Sequence, residues 1–220
     1  MKLLVDGADV DEIAYAYTYV GVEGVTTNPS ILARVGQDPG KVLLRIRDLI
    51  GHDELHVQVI GKTAQDMVED ALKIVDLLGM ETYVKIPCVK EGYRAMKDLS
   101  KRGIKVTGTA VYMPMQGWLA AKAGAKYVAP YINRIDNMGY DGIKVCKEIE
   151  DMLRMDDANC GVLAASFKNS QQVLELAKYG IATCTASTDV IFNMMNNAAV
   201  DAAVDVFTQD WHKLTGKDRF

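Results

Sequence analysis

Eight times along this chain, a short run of β-branched and apolar residues is followed by a longer segment with helical spacing. The strand-like runs are Lys2 to Asp6, Gly24 to Asn28, Leu55 to Ile60, Thr82 to Pro87, Lys105 to Val111, Tyr127 to Ile132, Gly161 to Ser166 and Thr183 to Ala186. Their length and composition are those of buried strands. Helix signals lie between them. Asp9 with Glu12 reads as a capping box, Pro29 suits a first helical turn, and Thr63 and Asn169 read as N-caps. Gly103, Gly124 and Gly180 read as helix ends. Helices are predicted over 41–50, 90–102, 116–123 and 143–155, and from about Asp189. The helix opened by Thr63 carries Met67, Ala71, Ile74, Val75 and Leu78 on one face.

A strand, a crossover helix and another strand make a parallel pair. Eight such units predict an α/β protein, a single (β/α)8 TIM barrel. The competing architecture is a doubly wound open sheet. It usually has fewer units and a phosphate-binding glycine loop, and this chain has no such glycine pattern. Residues 1–220 read as one domain. Residues 199–220 form an extra C-terminal helix, with Val200, Ala203, Val204, Phe207 and Trp211 on one stripe. That stripe packs either on its own barrel or on a neighbouring subunit.

Composition narrows the function. Net charge is −4, with no basic block or aromatic-basic stripe, so no nucleic-acid partner is expected. No apolar run of membrane-spanning length and no charged-then-apolar leader occurs, so a cytoplasmic protein with no membrane partner is expected. Cys88, Cys146, Cys160 and Cys184 are widely spaced and read as reduced thiols. His52 and His56 are four apart, but Gly51 precedes them and His56 opens a strand, so no metal site is expected.

The anomaly is Lys85, in the middle of the fourth strand. Lysine is rarely buried unless something holds it. Desolvation lowers its pKa, and a neutral amine can attack a carbonyl and form a Schiff base. The alternative is an edge lysine reaching water along its stem. Alternation decides which neighbours share its face. It places Tyr83 and Lys85 inward, with Leu4 and Asp6, Thr26 and Asn28, Gln58, Thr107 and Thr109, Ala129 and Tyr131, and Ala164 and Ser166. Each has an ordinary structural explanation, such as capping or satisfying a backbone group. Together they put polar residues at the C-terminal rim of the barrel, where barrel enzymes build their sites. Asp6 beside Lys85 would raise the lysine's pKa, opposing desolvation.

Several stretches carry a family resemblance: Lys2-Leu-Leu-Val-Asp6, Gly24-Val-Thr-Thr-Asn-Pro-Ser30, Val84-Lys-Ile-Pro87, Gly108-Thr-Ala110, Val128-Ala-Pro-Tyr-Ile-Asn-Arg-Ile-Asp136 and Leu163-Ala-Ala-Ser-Phe-Lys168. They resemble the transaldolase family, most closely its small branch, which includes fructose-6-phosphate aldolase. The resemblance covers nearly the whole chain. It implies a metal-free, cofactor-free (β/α)8 enzyme with Lys85 as the Schiff-base nucleophile and Asp6 as the proton-transfer group. Thr26 and Asn28 would orient the dihydroxyacetone part, with Ala129 also facing substrate. Thr109 and Gln58 would hold a water, with Tyr131 adding a hydroxyl. Arg134, Ser166 and Lys168 would grip phosphate.

The resemblance implies a small-molecule sugar phosphate as partner and a homo-oligomer, pentameric or decameric, with the terminal helix reaching a neighbour. True transaldolases resemble one another in carrying Glu at the position of Gln58 and Phe at that of Tyr131. The expected activity is therefore reversible cleavage of fructose 6-phosphate. The alternatives are transfer of dihydroxyacetone from sedoheptulose 7-phosphate to glyceraldehyde 3-phosphate, and a barrel that only binds phosphorylated ligands. The chain departs from its relatives at Cys88-Val89, at Met113-Pro114-Met115 and at Ala186.

Overall fold

The computed structural model describes residues 1–220. Eight parallel strands close into a barrel in sequence order. They are β1 (Lys2–Asp6), β2 (Gly24–Thr26), β3 (Glu54–Gln58), β4 (Tyr83–Pro87), β5 (Val106–Val111), β6 (Tyr127–Pro130), β7 (Gly161–Ala164) and β8 (Thr183–Ala186). The ring closes where β8 pairs with β1, Lys2 opposite Thr183. The helices are α1 (Val10–Tyr19), α2 (Pro29–Val35), α3 (Pro39–Ile50), α4 (Ala64–Leu78), α5 (Lys90–Lys101), α6 (Pro114–Lys122), α7 (Ile132–Asp136), α8 (Gly142–Met155), α9 (Ser170–Tyr179), α10 (Thr188–Met195) and α11 (Ala198–Thr215). The (β/α)8 barrel with an extra C-terminal helix is thus the observed architecture. No helix is long and apolar enough to cross a membrane.

Local signals explain most of the helix ends. Thr63 and Asp66 form a reciprocal capping box on α4. Asn169 Oδ1 accepts from Gln172 N at the start of α9, and Gly180 ends that helix in the left-handed region. At α1, Asp9 Oδ1 accepts from Asp11 N and Glu12 N, but the expected capping box is not made. Glu12 instead accepts from Thr188 Oγ1 at 2.7 Å, tying α1 to α10. The helix α7 has no counterpart in the expected elements, which ran strand six on to Ile132.

The outward faces of the strands, including Val5, Val25, Val57, Val84, Ile86, Val106, Val128 and Val162, join the buried helix faces in one apolar layer. Close packing there needs glycine. A Cβ on Gly92 would sit 1.9 Å from the Pro87 carbonyl oxygen, so Gly92 lets α5 lie directly against the end of β4.

Barrel interiors are usually filled by branched aliphatic side chains. This one is rich in polar groups: Thr26, His56, Lys85, Thr107, Thr109, Thr183 and Thr185 are all buried. At its N-terminal floor, Glu54 Oε1 accepts from Lys2 Nζ at 2.7 Å and Tyr127 OH at 3.1 Å. Glu54 Oε2 meets His56 Nε2 at 3.4 Å. A carboxylate only accepts, so Nε2 carries the proton and Nδ1 accepts from the Thr107 hydroxyl at 2.9 Å. The imidazole stacks on Tyr83 at 4.5 Å. Glu54, Lys2, His56, Thr107 and Tyr127 thus partner one another, as polar groups in a low-dielectric interior must.

Candidate active site

The lysine strand forms because Val84 and Ile86 alternate outward into the apolar layer, which turns Lys85 inward. Lys85 is 4% exposed. Its Nζ donates to the Thr27 carbonyl oxygen at 2.7 Å. An amine can donate through N–H and keep its lone pair. Burial pushes the Lys85 pKa down; nearby Asp6 opposes this, nearby Arg134 reinforces it, and the net direction is down. Of the two opposing effects read from the residues, desolvation outweighs the Asp6 charge, so the pKa moves toward the neutral amine that imine formation needs.

Above Lys85 lies a cavity of about 100 Å³. Its walls include Asp6, Asn28, Lys85, Tyr131, Arg134 and Ser166, six of the expected site residues. Asp6 is the last residue of β1. Its Oδ1 accepts from Thr26 Oγ1 at 2.7 Å. Thr26 spends its one proton on Asp6, so Thr185, 2.8 Å away, donates to Thr26. That chain of hydroxyls fixes the carboxylate. Asn28 caps α2, accepting from Ile31 N at 3.0 Å, which holds its side chain at the mouth.

Tyr131 follows β6. Its hydroxyl lies 2.9 Å from Thr109 Oγ1, and burial pushes its pKa up, so it stays a phenol able to donate. The Arg134 guanidinium lies 4.7 Å over the Tyr131 ring. Ser166 reaches the cavity by a backbone device. Its φ is 63°, a left-handed conformation costly for a non-glycine residue. The Ser166 carbonyl accepts from Asn133 N at 2.8 Å, which ties the turn to α7.

The structure places several of the expected residues away from the cavity wall. Ala164 faces outward in the apolar layer, and Ala165 packs inward with Ala129 and Tyr131. The left-handed turn at Ser166 is what breaks the assumed alternation. Thr26 and Thr109 do not line the cavity; they stand behind Asp6 and Tyr131 and hold them. Ala129 lies with Ala165 against Tyr131 and does not reach the cavity wall. Gln58 pairs opposite Lys85 in the β3–β4 ladder, yet lies outside the cavity. Lys168 is exposed and also outside it, because the chain beyond Ser166 turns away toward α9, with Lys168 N bonded to Gln172 Oε1. Cys88, Met113 and Met115 do not touch the cavity either.

Four lining residues went unread: Ser30, Ile31, Arg34 and Ala165. Ser30 and Arg34 had a signal, since they lie four apart on the helix that Asn28 caps. The Thr27 carbonyl had none, because every residue carries one.

A buried amine, a fixed carboxylate, a protonated phenol and a guanidinium around one cavity can form an imine and move protons beside it. Residues 3–217 match the family model described as Transaldolase/Fructose-6-phosphate aldolase.

Proposed function

This chain belongs to the transaldolase/fructose-6-phosphate aldolase family, whose members are Schiff-base aldolases and transaldolases, and we infer that it is a reversible fructose 6-phosphate aldolase. The Lys85 amine attacks the C2 ketone, and loss of water leaves an iminium. The Asp6 carboxylate takes the C4 hydroxyl proton and the C3–C4 bond breaks. Glyceraldehyde 3-phosphate leaves, and the bonding electrons pass into the iminium to give an enamine. The enamine is then protonated at C3, and water releases free dihydroxyacetone and the amine.

The observation that carries this over transaldolase chemistry is the Tyr131 hydroxyl, lining the cavity and bonded to Thr109. A phenol there can hold the water that protonates and hydrolyses the enamine. Without it, the enamine persists until an aldehyde arrives, which is transfer. Gln58 gives no support from its position, since it stands off the cavity. Arg134 and Ser166 are the phosphate contacts in this reading. The test is acceptor dependence: dihydroxyacetone should accumulate from fructose 6-phosphate alone. Release that appears only after erythrose 4-phosphate is added would assign a transaldolase.

The reading extends to assembly, a pentameric or decameric ring in which α11 packs on a neighbour. The helix has no buried residue on its own barrel and exposes Val200, Val204 and Phe207. Deleting residues 199–220 should shift sedimentation to smaller species; an unchanged profile would refute it.

A further inference from the structure

The cavity is framed by two guanidinium groups. Arg134 and Ser166 come from the elements after β6 and β7; Ser30 and Arg34 come from α2. Ser30 and Arg34 are one turn apart, so both side chains can face the cavity from the same stripe of helix. Neither arginine is in an ion pair, whereas the surface arginines Arg102 and Arg154 pair with Asp98 and Asp151. The only carboxylate on the cavity wall is Asp6, which already accepts from Thr26. Two cations and two hydroxyls thus converge on one small space, against a single committed anion. That is the complement of a phosphoryl dianion, which planar guanidiniums can hold through two hydrogen bonds each. Lys168 lies outside this space.

We propose that Arg34, with Ser30, is the second cationic ligand of the substrate's phosphoryl group, standing with Arg134 and Ser166 around one cavity, and that it determines selectivity for phosphorylated aldehydes. The proposal rests on the Schiff-base aldolase reading and adds a specificity residue to it. Arg34 is exposed at the end of a helix and carries no structural hydrogen bond, so its replacement leaves the fold intact.

The experiment is aldol addition of dihydroxyacetone to glyceraldehyde 3-phosphate and, separately, to unphosphorylated glyceraldehyde. In Arg34→Met, the ratio of kcat/KM for the phosphorylated to the unphosphorylated acceptor should fall about 10- to 100-fold, the size of one charge-assisted contact. Arg34→Lys should recover part of it. A ratio unchanged in Arg34→Met overturns the proposal. Borohydride trapping with dihydroxyacetone in the same variant tests the parent reading separately. An adduct mass at Lys85 upholds the imine chemistry whatever the ratio does, and its absence in both wild type and variant sinks that chemistry instead.

Discussion

At the N-terminal end of the barrel, a carboxylate, an imidazole, an ammonium and two hydroxyls satisfy one another; at the C-terminal end, an amine, a carboxylate and two guanidiniums surround open space. Both ends are polar and both are drawn from the same strands. His56 and Gln58 are two residues apart on β3, and Tyr83 and Lys85 two apart on β4. What separates the ends is how their groups are arranged: at the floor around a mutually bonded cluster, at the rim around a cavity. At the floor, Glu54, His56, Thr107, Lys2 and Tyr127 spend hydrogen bonds on one another, which ties β1, β3, β5 and β6 together. The rim gathers a desolvated Lys85 with a lowered pKa and the guanidiniums of Arg34 and Arg134, neither in an ion pair, and it carries a left-handed turn at Ser166. Burial of polar groups is common to both. Reactive and charged groups gathered around one cavity mark the site.

The sharpest way to break this contrast is Lys85→Met. Turnover should fall at least about 10⁴-fold, because the nucleophile is gone. The melting temperature should hold or rise, since a desolvated amine is removed. Measurable turnover, or a collapse of the fold, would mean that the rim is structural too.

The floor should reveal itself through acid. His56 is held neutral down to about 4, against 6.5 for a free imidazole, chiefly by burial and despite Glu54. A lowered folded pKa means the unfolded chain takes the proton first as pH falls. Stability should therefore decline between about pH 6.5 and 4, by up to about 3 kcal/mol from this group. Glu54 continues the decline at lower pH. Burial acts to raise its pKa, but hydrogen bonds from His56 and Lys2 outweigh it and hold the group at about 2 instead of 4.5. Melting curves across pH should flatten in the upper window in His56→Gln; an identical slope in both proteins would remove His56 from the account.

Glu54→Ala should cost about 1–3 kcal/mol of unfolding free energy by stranding the His56 and Tyr127 donors. Below its melting point, kcat should stay within about twofold of wild type. A large loss of kcat with no loss of stability would dissolve the distinction between the two ends. The smallest effect belongs to Tyr131→Phe. Acceptor-free release of dihydroxyacetone should drop about tenfold, the range of a lost proton-transfer group at its weak end, while transfer to an added aldehyde persists. Equal loss of both would argue against the phenol's hydrolytic role.

The sequence by itself determined the eightfold βα repeat, the closed parallel barrel, the inward face of Lys85, and the placing of Asp6 and Tyr131 on the same rim. These follow from alternation, helical spacing and capping, which act over a few neighbouring residues. β1 and β8 matched their expected bounds, while the expected β2, β6 and β7 each ran two residues too long at the end that feeds the site. Only the tertiary structure decided that Ala164 turns outward, that Ser166 is bent into the cavity, that Gln58 and Lys168 stand off it and that Arg34 enters it. It alone set the tautomer of His56 and brought the Thr27 carbonyl to Lys85. Each of these depends on groups far apart in the chain meeting where water is excluded, and no local pattern of residue types encodes that meeting.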